Sequence, residues 1–430
     1  MIFLLAIALI LVLIIAFIMS KGDIFSPWVI ITASFLNSTC LAMFNLDYWG
    51  YTFHLNTCLI ILSGVILFGC GSLFGDYAFS GEKTLHFELD KFNIKTCYLT
   101  VVFSTLIVLC LSYFSFQDLY HLSMQYGNTE GYKNIVRTLR PLIEAKILHL
   151  PNGYSYRNLI ATVFVYVFLA VGINRTIFEG LKMRNLIYLL PLCAYVPMML
   201  LSTGRMAFLR VILFIIVISG ILYQRKIGYS WKTTLKILIG VCCAMTIFFV
   251  CFFAAGHLTG KVITAERTPF IIISHYTGAQ IPALDIQLNN YLWNDRNNVG
   301  EITLLGLYGN LRKLGLQLPD TSMFLPFIHL HHVTTNVYTS LFRYIHDYGV
   351  VGMWSIVFFL GILYTTFYNL IKYRYNSFSL LVIYSYICLP LFLFGHDELF
   401  LTGVILSRNV YLFIFMILLI KFLKLRRSKI

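Results

Sequence analysis

Charged side chains are scarce in this chain. Asp, Glu, Lys and Arg together account for 12% of its 430 residues, whereas hydrophobic residues account for 59%. An ordinary soluble domain carries about 25% charged residues, so the composition excludes a soluble protein of this length. The mean hydropathy of +0.80 is typical of a protein whose chain crosses a membrane several times.

Cysteine motifs, a cleavable leader and internal repeats are also lacking. The ten cysteines include no CxxC pair, and they fall within or at the ends of apolar stretches, which predicts neither a disulfide framework nor a zinc knuckle. The first apolar stretch has no basic residue before it and no small-residue cleavage site. We therefore interpret it as a membrane span and not as a signal peptide.

Long apolar runs, in contrast, are abundant. About 20 mostly apolar residues cross the hydrocarbon layer as a helix, and a helix satisfies its own backbone hydrogen bonds there. This criterion predicts an all-α polytopic membrane protein, a single integral domain over residues 1–430, with about eleven spans. They are expected near residues 2–19, 28–44, 56–74, 97–116, 159–173, 186–202, 207–223, 235–255, 350–370, 378–394 and 411–423.

The distribution of lysine and arginine predicts which ends of the spans face the cytoplasm. The C-terminal tail is expected to be cytoplasmic, since it holds Lys421, Lys424, Arg426, Arg427 and Lys429. Counting back through the spans, the basic short loops fall on that side, and the N-terminus falls on the opposite, outer side. The net charge of +14 is thus mainly an orientation signal, and no nucleic-acid partner is predicted.

Two long segments, 117–158 and 256–349, are expected on the outer side, the second between the eighth and ninth spans. Within the first, apolar residues near helical spacing, with Arg137 and Arg140 among them, predict a helix lying on the membrane surface. Two interpretations of these arginines remain open. They are attracted to anionic lipid headgroups, or they bind an anionic lipid-linked substrate.

A short outer turn, STGRMAFLR at 202–210, places Arg205 and Arg210 at the membrane on the side that basic residues usually avoid. An arginine there is expensive to bury unless it faces a polar cavity or an anion. Its planar guanidinium suits a diphosphate, so both residues are candidate ligands of such a group. For Arg210, extension of the side chain to the headgroups is the alternative.

The second outer segment contains Arg267, His332 and many Tyr, Trp and Asn residues. This composition suits contacts with sugars, and it is equally that of an ordinary extracytoplasmic loop. The sequence HLHH at 329–332 has no acidic or thiol partner at ligand spacing, so no metal site is predicted.

The most informative stretch is TTNVYTSLFRYIHDYGVVG at 334–352, where a polar, aromatic segment runs into an apolar one. We predict a helix capped by Thr335 or Asn336. Its apolar stripe would hold Tyr338, Phe342 and Ile345, and another face would hold Thr339, Arg343 and His346, with Asp347 beside them. A simpler interpretation is an interfacial amphipathic helix with an Arg343–Asp347 pair. Gly349 and Gly352 then permit a turn or close packing.

These motifs resemble a known family. The segment TNVYTSLFRYIHDYGVVG, at the end of a long outer loop and leading into a span, is similar to the signature of bacterial O-antigen polymerases of the Wzy type. The STGRMAF turn is similar to the arginine-containing outer turn of those polymerases and of the related O-antigen ligases. The layout of spans with one dominant outer loop late in the chain fits over nearly the whole length.

The resemblance implies a GT-C-type glycosyltransferase of the bacterial inner membrane, with a periplasmic N-terminus and a cytoplasmic C-terminus. Such enzymes join undecaprenyl-diphosphate-linked oligosaccharide repeats on the periplasmic face, with inversion and without metal or cofactor. By position, Arg205 and Arg210 would hold the donor diphosphate, and Asn336, Tyr338 and Thr339 would belong to the acceptor side. Arg343, His346 and Asp347 would lie near the reacting groups. Independently of the resemblance, Arg137, Arg140, Arg267 and His332 of the two outer segments are candidate substrate contacts.

One departure from the family leaves the proton acceptor open. Related ligases carry a histidine immediately before the motif asparagine, where this chain has Thr335, so His346, Asp347 or His332 are the candidates. In the outer loop at 395–408, His396, Asp397 and Glu398 are expected to be mostly solvated charges. The alternatives to a polymerase are an O-antigen ligase and a flippase for lipid-linked sugars. Expected partners are the lipid-linked oligosaccharide, membrane lipids and, as an open point, a chain-length regulator.

Overall fold

A computed structural model describes residues 1–79, 96–129, 131–144, 147–148, 150–201, 206–228, 231–258, 268–290, 299–318, 325–374, 377–404 and 406–425. Almost all regular structure in these ranges is helical. Seven helices in the described part of the chain are long and apolar enough to cross a membrane. They are Ile2–Met19, Leu55–Tyr77, Tyr98–Gln125, Gly153–Glu179, Met183–Leu201, Met206–Ile227 and Ser340–Tyr373. The predicted class, an all-α polytopic membrane protein, is confirmed.

Helices also lie at the other predicted spans. Pro27–Met43 and Phe378–Phe392 are shorter apolar helices, and Trp231–Leu258 and Ser407–Leu425 cover the two remaining positions. The total of about eleven spans and the GT-C fold stay predictions.

The chain, predicted to be one integral domain, divides into two compact units. Unit 1 combines Met1–Phe87, Thr264–Asn376 and Ile387–Val410, and unit 2 combines Glu88–Ile263, Ser377–Tyr386 and Tyr411–Ile430. The helices and strands of unit 1 are α1 (Ile2–Met19), α2 (Pro27–Met43), α3 (Leu55–Tyr77), α10 (Pro269–Gly278), α11 (Gln280–Asn290), α12 (Leu305–Lys313), β1 (Ile328–Leu330), β2 (Val333–Thr335), α13 (Ser340–Asn369) and α15 (Leu389–Phe392).

Within the described ranges, unit 2 is built almost entirely of helices. They are α4 (Tyr98–Gln125), α5 (Ile135–Glu144), α6 (Asn152–Glu179), α7 (Leu190–Leu201), α8 (Met206–Ile227), α9 (Trp231–Leu258), most of α14 (Phe378–Ile387) and most of α16 (Ser407–Leu425). The outer segment expected at 117–158 is therefore largely helical, since α4 continues to Gln125 and α6 begins at Asn152. Between them, α5 buries Ile135 and Leu139 and exposes Arg137, as an amphipathic helix does.

Unit 1 is organised by the close packing of α3 against α13. Glycines permit the contact, because a Cβ atom at Gly71 would lie 2.0 Å from the carbonyl oxygen of Phe358. Small residues let membrane helices approach closely, and hydroxyl groups can then bond across the interface. The Ser72 and Thr365 hydroxyls do so at 2.7 Å. Their contacts advance together along the chain, from Ser63–Trp354 to Asp76–Asn369, so the two helices run in the same direction.

The start of α13 corrects the predicted cap. The helix begins at Ser340, with Thr339 as its N-cap residue, and not after Thr335 or Asn336. Thr335 ends strand β2, which pairs with β1 in an antiparallel hairpin with Leu330 opposite Val333. The Thr335 hydroxyl accepts a hydrogen bond from the Val337 backbone N–H at 3.1 Å. The prediction was wrong because pairing with β1 holds this segment extended, a contact that local propensity does not report.

Gly349 breaks α13 shortly after it starts. Its φ of 70° and ψ of −178° are not helical, and positive φ is favourable only for glycine. At Gly352, a Cβ atom would lie 2.2 Å from the Cβ of Tyr348. The predicted turn and close packing at these two glycines are confirmed, and residues 340–348 form a short helix that precedes the long apolar one.

Candidate functional site

Charged side chains gather around the short first part of α13, and we call this group the α13 cluster: Arg343, His346, Asp347, Asp397 and Glu398. Arg343 lies at its centre. Its Nε donates to Oδ1 of Asp397 at 3.1 Å and its Nη1 donates to the carbonyl oxygen of Ile302 at 3.1 Å. The Arg343 side chain is 3% exposed and that of Asp397 is 21% exposed. The cation is thus buried, while its carboxylate partner retains contact with solvent.

Asp347 holds the loop that precedes α12. Its Oδ2 accepts hydrogen bonds from the backbone N–H groups of Ile302, at 3.1 Å, and Thr303, at 2.8 Å. The Thr303 hydroxyl donates in turn to the Arg343 carbonyl oxygen at 3.0 Å. The predicted Arg343–Asp347 ion pair is therefore wrong. Each residue finds a partner from a loop distant in sequence, which the i,i+4 spacing does not reveal.

His346 lies in the interior of the α13 cluster, beside Asp347. Its Nδ1 lies 3.1 Å from Oδ1 of Asp347, and the two side chains are 4% and 1% exposed. Its ring lies against that of Phe342, with the centroids 5.9 Å apart. The face of α13 that was predicted to be polar is buried along with the apolar stripe, so this helix is not a simple interfacial amphipathic helix.

Glu398, expected to be a solvated loop charge, is buried. Its carboxylate accepts hydrogen bonds from the backbone N–H groups of Phe400, Leu401 and Thr402, each at 2.8 Å. The Tyr344 hydroxyl donates to it at 3.1 Å. Burial raises the pKa of Glu398 above its ordinary value, although the three backbone donors favour the charged form and oppose this shift. Glu398 acts as the cap of a π-helical turn, Phe400–Val404.

The predicted acceptor-side residues differ in accessibility. Asn336 is half-buried, whereas Tyr338 and Thr339 are buried. The Tyr338 hydroxyl donates to the Pro326 carbonyl oxygen at 3.0 Å, its ring stacks on that of Phe342, and burial raises its pKa to about 12. Tyr338 therefore serves to pack the segment that leads into α13.

His332 lies at the tip of the hairpin and is exposed. Its ring stacks on Tyr48 with the centroids 4.5 Å apart and the planes inclined by 20°, and the His331 N–H donates to the Trp49 carbonyl oxygen at 3.2 Å. The hairpin tip thus rests on the loop before α3. In the described part of the chain, no three His, Cys, Asp or Glu side chains converge as metal ligands.

The remaining candidate arginines belong to other parts of the chain. In unit 2, the Arg210 guanidinium lies over the ring of Tyr386, 4.8 Å from its centroid, and the Tyr386 ring meets Tyr166 edge-on at 5.0 Å. Arg210 therefore packs among tyrosines of its own unit. Arg140 is half-buried and Arg137 exposed on α5. Arg205 and Arg267 lie outside the residues that the structure describes.

Sequence reasoning overlooked a buried carboxylate in the second outer segment. Asp285 of α11 is fully buried and accepts hydrogen bonds from the Tyr51 hydroxyl, at 2.9 Å, and the His54 backbone N–H, at 2.9 Å. The Thr57 hydroxyl, at 2.5 Å, and the Asn289 amide, at 2.7 Å, also donate to it. Asp285 is the one acidic residue of α11, which was the available signal, but its partners more than two hundred residues away could not be identified from the sequence.

Comparison of the chain with protein families, curated proteins and solved structures gave no match in any of the three. Functional inference therefore depends on the residues themselves and on the resemblance described above.

Proposed function

We propose that this protein is an inner-membrane glycosyltransferase that polymerises undecaprenyl-diphosphate-linked oligosaccharide repeat units into O-antigen or a similar surface polysaccharide. The transfer takes place on the periplasmic face and inverts the anomeric centre. The observation that carries the proposal is the α13 cluster. The segment that resembles the polymerase signature places buried charged groups at the N-terminal end of a long apolar helix, where a membrane enzyme meets a lipid-linked substrate.

The required chemistry suits these residue types. A glycosyl diphosphate already has a good leaving group, so the enzyme must mainly stabilise the charge that develops on the departing diphosphate. Arginines do this well in a site of low dielectric constant, and Arg205 and Arg210 are assigned that role. A second group must take the proton of the acceptor hydroxyl. No covalent intermediate is needed, and a single displacement gives inversion.

Within the α13 cluster, burial suggests positioning roles for most members. Asp347 accepts a hydrogen bond from the loop at 302–303. Arg343 is bonded to that loop and to Asp397. The Asp397 carboxylate is also in contact with solvent. We therefore assign Asp397 to the orientation of the acceptor sugar, whose hydroxyl groups can both donate and accept, and Arg343 to holding Asp397 in place. Asn336, being half-buried, is assigned to the same surface.

The main alternatives are an O-antigen ligase and a flippase. A ligase shares the donor chemistry and differs only in its acceptor. A transporter typically places ionisable residues near the middle of the membrane, within repeated and interrupted helices. The charged groups of the α13 cluster instead lie at a helix end, which favours surface catalysis.

Electrophoresis of surface polysaccharide from a deletion strain of the source bacterium tests the proposal. We expect the deletion strain to carry lipid A-core with a single repeat, and the ladder of long chains to return when the gene is restored. A core without any repeat, with long lipid-linked chains accumulating, would identify a ligase. An unchanged ladder would overturn the assignment.

Reconstitution separates polymerisation from transport. The purified full-length chain in proteoliposomes should convert an undecaprenyl-diphosphate-linked repeat unit, supplied on the outside of the vesicles, into longer lipid-linked chains. Movement of the repeat unit across the bilayer without elongation would identify the protein as a flippase and not as a polymerase.

A further inference from the structure

His54 and Asp285 form a carboxylate–histidine pair in unit 1. His54 is the residue before α3, in a short loop that we predict on the outer side, and Asp285 is on α11. The Nδ1 atom of His54 lies 3.1 Å from Oδ2 of Asp285. The two residues are 231 positions apart in sequence, so the pair is created by the fold.

The hydrogen bonds determine which ring nitrogen carries the proton. An ionised carboxylate only accepts hydrogen bonds, and the same Asp285 oxygen also receives the His54 backbone N–H and the Tyr51 hydroxyl, each at 2.9 Å. The histidine must therefore donate through Nδ1. In the neutral imidazole this leaves Nε2 with a lone pair. A buried carboxylate that orients a histidine in this way is a recurring arrangement for a general base.

The two residues of the pair differ in their exposure to solvent. The Asp285 side chain is 0% exposed, whereas that of His54 is 51% exposed. Tyr51 contacts the His54 ring edge-on, at 6.3 Å between centroids. Tyr48 of the same loop is 40% exposed and stacks on the exposed His332, so the loop that carries His54 presents aromatic side chains. Aromatic faces of this kind suit the apolar faces of sugars.

We propose that His54 is the general base that takes the proton from the acceptor hydroxyl, and that Asp285 is a positioning residue that holds its tautomer and orientation. This inference rests on the proposed glycosyl transfer. The acceptor oxygen forms a bond to the anomeric carbon as the bond from that carbon to the diphosphate oxygen breaks. The electron pair leaves with undecaprenyl diphosphate, and the hydroxyl proton goes to Nε2 of His54 and later to water.

The other candidate bases are less suitable. His346 and Asp347 are 4% and 1% exposed and bonded to each other, so an incoming sugar does not reach them. His332 is exposed, but within the described residues no carboxylate holds its ring. His54 combines an accessible ring with a buried carboxylate partner. It thereby supplies the base that is absent from the motif, where this chain has Thr335 in place of the histidine of the related ligases.

The test uses the full-length protein in lipid nanodiscs, with an undecaprenyl-diphosphate-linked repeat unit as both donor and acceptor. His54→Gln should lower kcat by about 10²–10⁴-fold, the usual contribution of general base catalysis, with KM nearly unchanged. The acid limb of the pH profile of kcat, which reports the base in the enzyme–substrate complex, should disappear. The titratable groups that contact His54 in the described structure are Asp285 and Tyr51. Imidazole should partly restore transfer by His54→Ala.

Four further variants distinguish catalysis from structure. Asp285→Asn should lower kcat less than His54→Gln does, and Asp285→Glu should recover part of that loss. Thr57→Val removes one donor from Asp285 without touching His54, so it should lower the melting temperature and keep the acid limb. His121→Gln, an exposed histidine of unit 2, should behave as the wild type.

A wild-type kcat and pH profile in His54→Gln would overturn the inference while leaving the proposed function intact. Loss of activity in His54→Ala that imidazole does not restore, with a melting temperature as low as that of Thr57→Val, would also overturn it in favour of a structural role. Failure of the wild-type protein to elongate the repeat would overturn the proposed function itself.

Discussion

Arg343 and Asp397 are joined by a charge-assisted hydrogen bond of 3.1 Å across 54 residues of sequence. The bond links the start of α13 to the segment that follows α15. Because the guanidinium also donates to the Ile302 carbonyl oxygen, one buried cation connects three parts of unit 1. A buried cation without its partner is strongly unfavourable.

Removing either partner should therefore destabilise unit 1. Breaking a buried ion pair costs about 3–5 kcal/mol, and we expect Asp397→Asn to fall below that range because the carboxylate is partly solvated. The melting temperature in detergent is the measurement. Arg343→Met combined with Asp397→Leu should be more stable than Arg343→Met alone, since the double variant leaves no carboxylate without its cation. Equal melting temperatures of wild type and Asp397→Asn would contradict this role.

Arg205 and Arg210 should be needed for transfer. Loss of a group that stabilises developing charge lowers kcat by about 10²–10³-fold, so both alanine variants should yield single repeats. Arg205→Ala should do so at normal expression, whereas Arg210→Ala should also lose stability, because it removes the contact with Tyr386. Arg210→Lys keeps the charge but loses the planar stacking on Tyr386, and we expect it to be partly active. Arg184→Ala, at an exposed arginine paired with Glu179, is the control. Long polymer in the Arg205→Ala strain would show that Arg205 does not take part in transfer.

Gly349→Ala should lower stability through the backbone alone. The combination of φ 70° and ψ −178° is adopted almost only by glycine and costs another residue about 1–3 kcal/mol, and beyond its own helical turn no atom lies within 4 Å of the added Cβ. Gly309→Ala is the matched control, because its position in α12 is equally open. Helical glycine-to-alanine changes stabilise by about 0.5–1 kcal/mol. Thermal unfolding in detergent should therefore shift in opposite directions for the two variants, and a shared direction would argue against the strained turn.

Gly71→Ala should separate α3 from α13. The added Cβ would meet the backbone oxygen of Phe358 at 2.0 Å, and a backbone atom cannot rotate away as a side chain does. Overpacking of this kind costs about 1–3 kcal/mol. Gly240→Ala in α9, where nothing lies within 4 Å, should be neutral or slightly stabilising. Unfolding monitored by tryptophan fluorescence compares the two, and equal stability would mean that the helices tolerate the displacement.

Glu398→Gln should change how stability depends on pH. Burial raises the pKa of Glu398, so the folded protein binds this proton more tightly than the unfolded chain does. The stabilisation from this group is then fully present below the ordinary carboxyl pKa of about 4.3 and is lost as the pH rises through the raised folded-state pKa. Wild-type stability should therefore fall across that window relative to Glu398→Gln. An equal dependence of stability on pH for wild type and Glu398→Gln, measured upward from the ordinary carboxyl pKa, would contradict the shift.

Local predictions failed where distant partners decide the outcome. The helix expected from Thr335 begins instead at Ser340, since strand β2 pairs with β1. Glu398, expected to be solvated, is buried beneath Tyr344. In both cases the residue types were assessed correctly for an isolated segment, and tertiary contacts changed their environment.

By itself, the sequence determined that this is a helical membrane protein, where most helices lie and where Gly349 turns the chain. Those properties follow from short-range interactions. Each apolar helix satisfies its own backbone hydrogen bonds, and the hydropathy of each segment depends only on the residues within it. Only the tertiary structure decided that Arg343 pairs with Asp397 and His54 with Asp285. The choice of partner for a buried charge depends on which side chains the packed helices bring together, and residue spacing does not encode that choice.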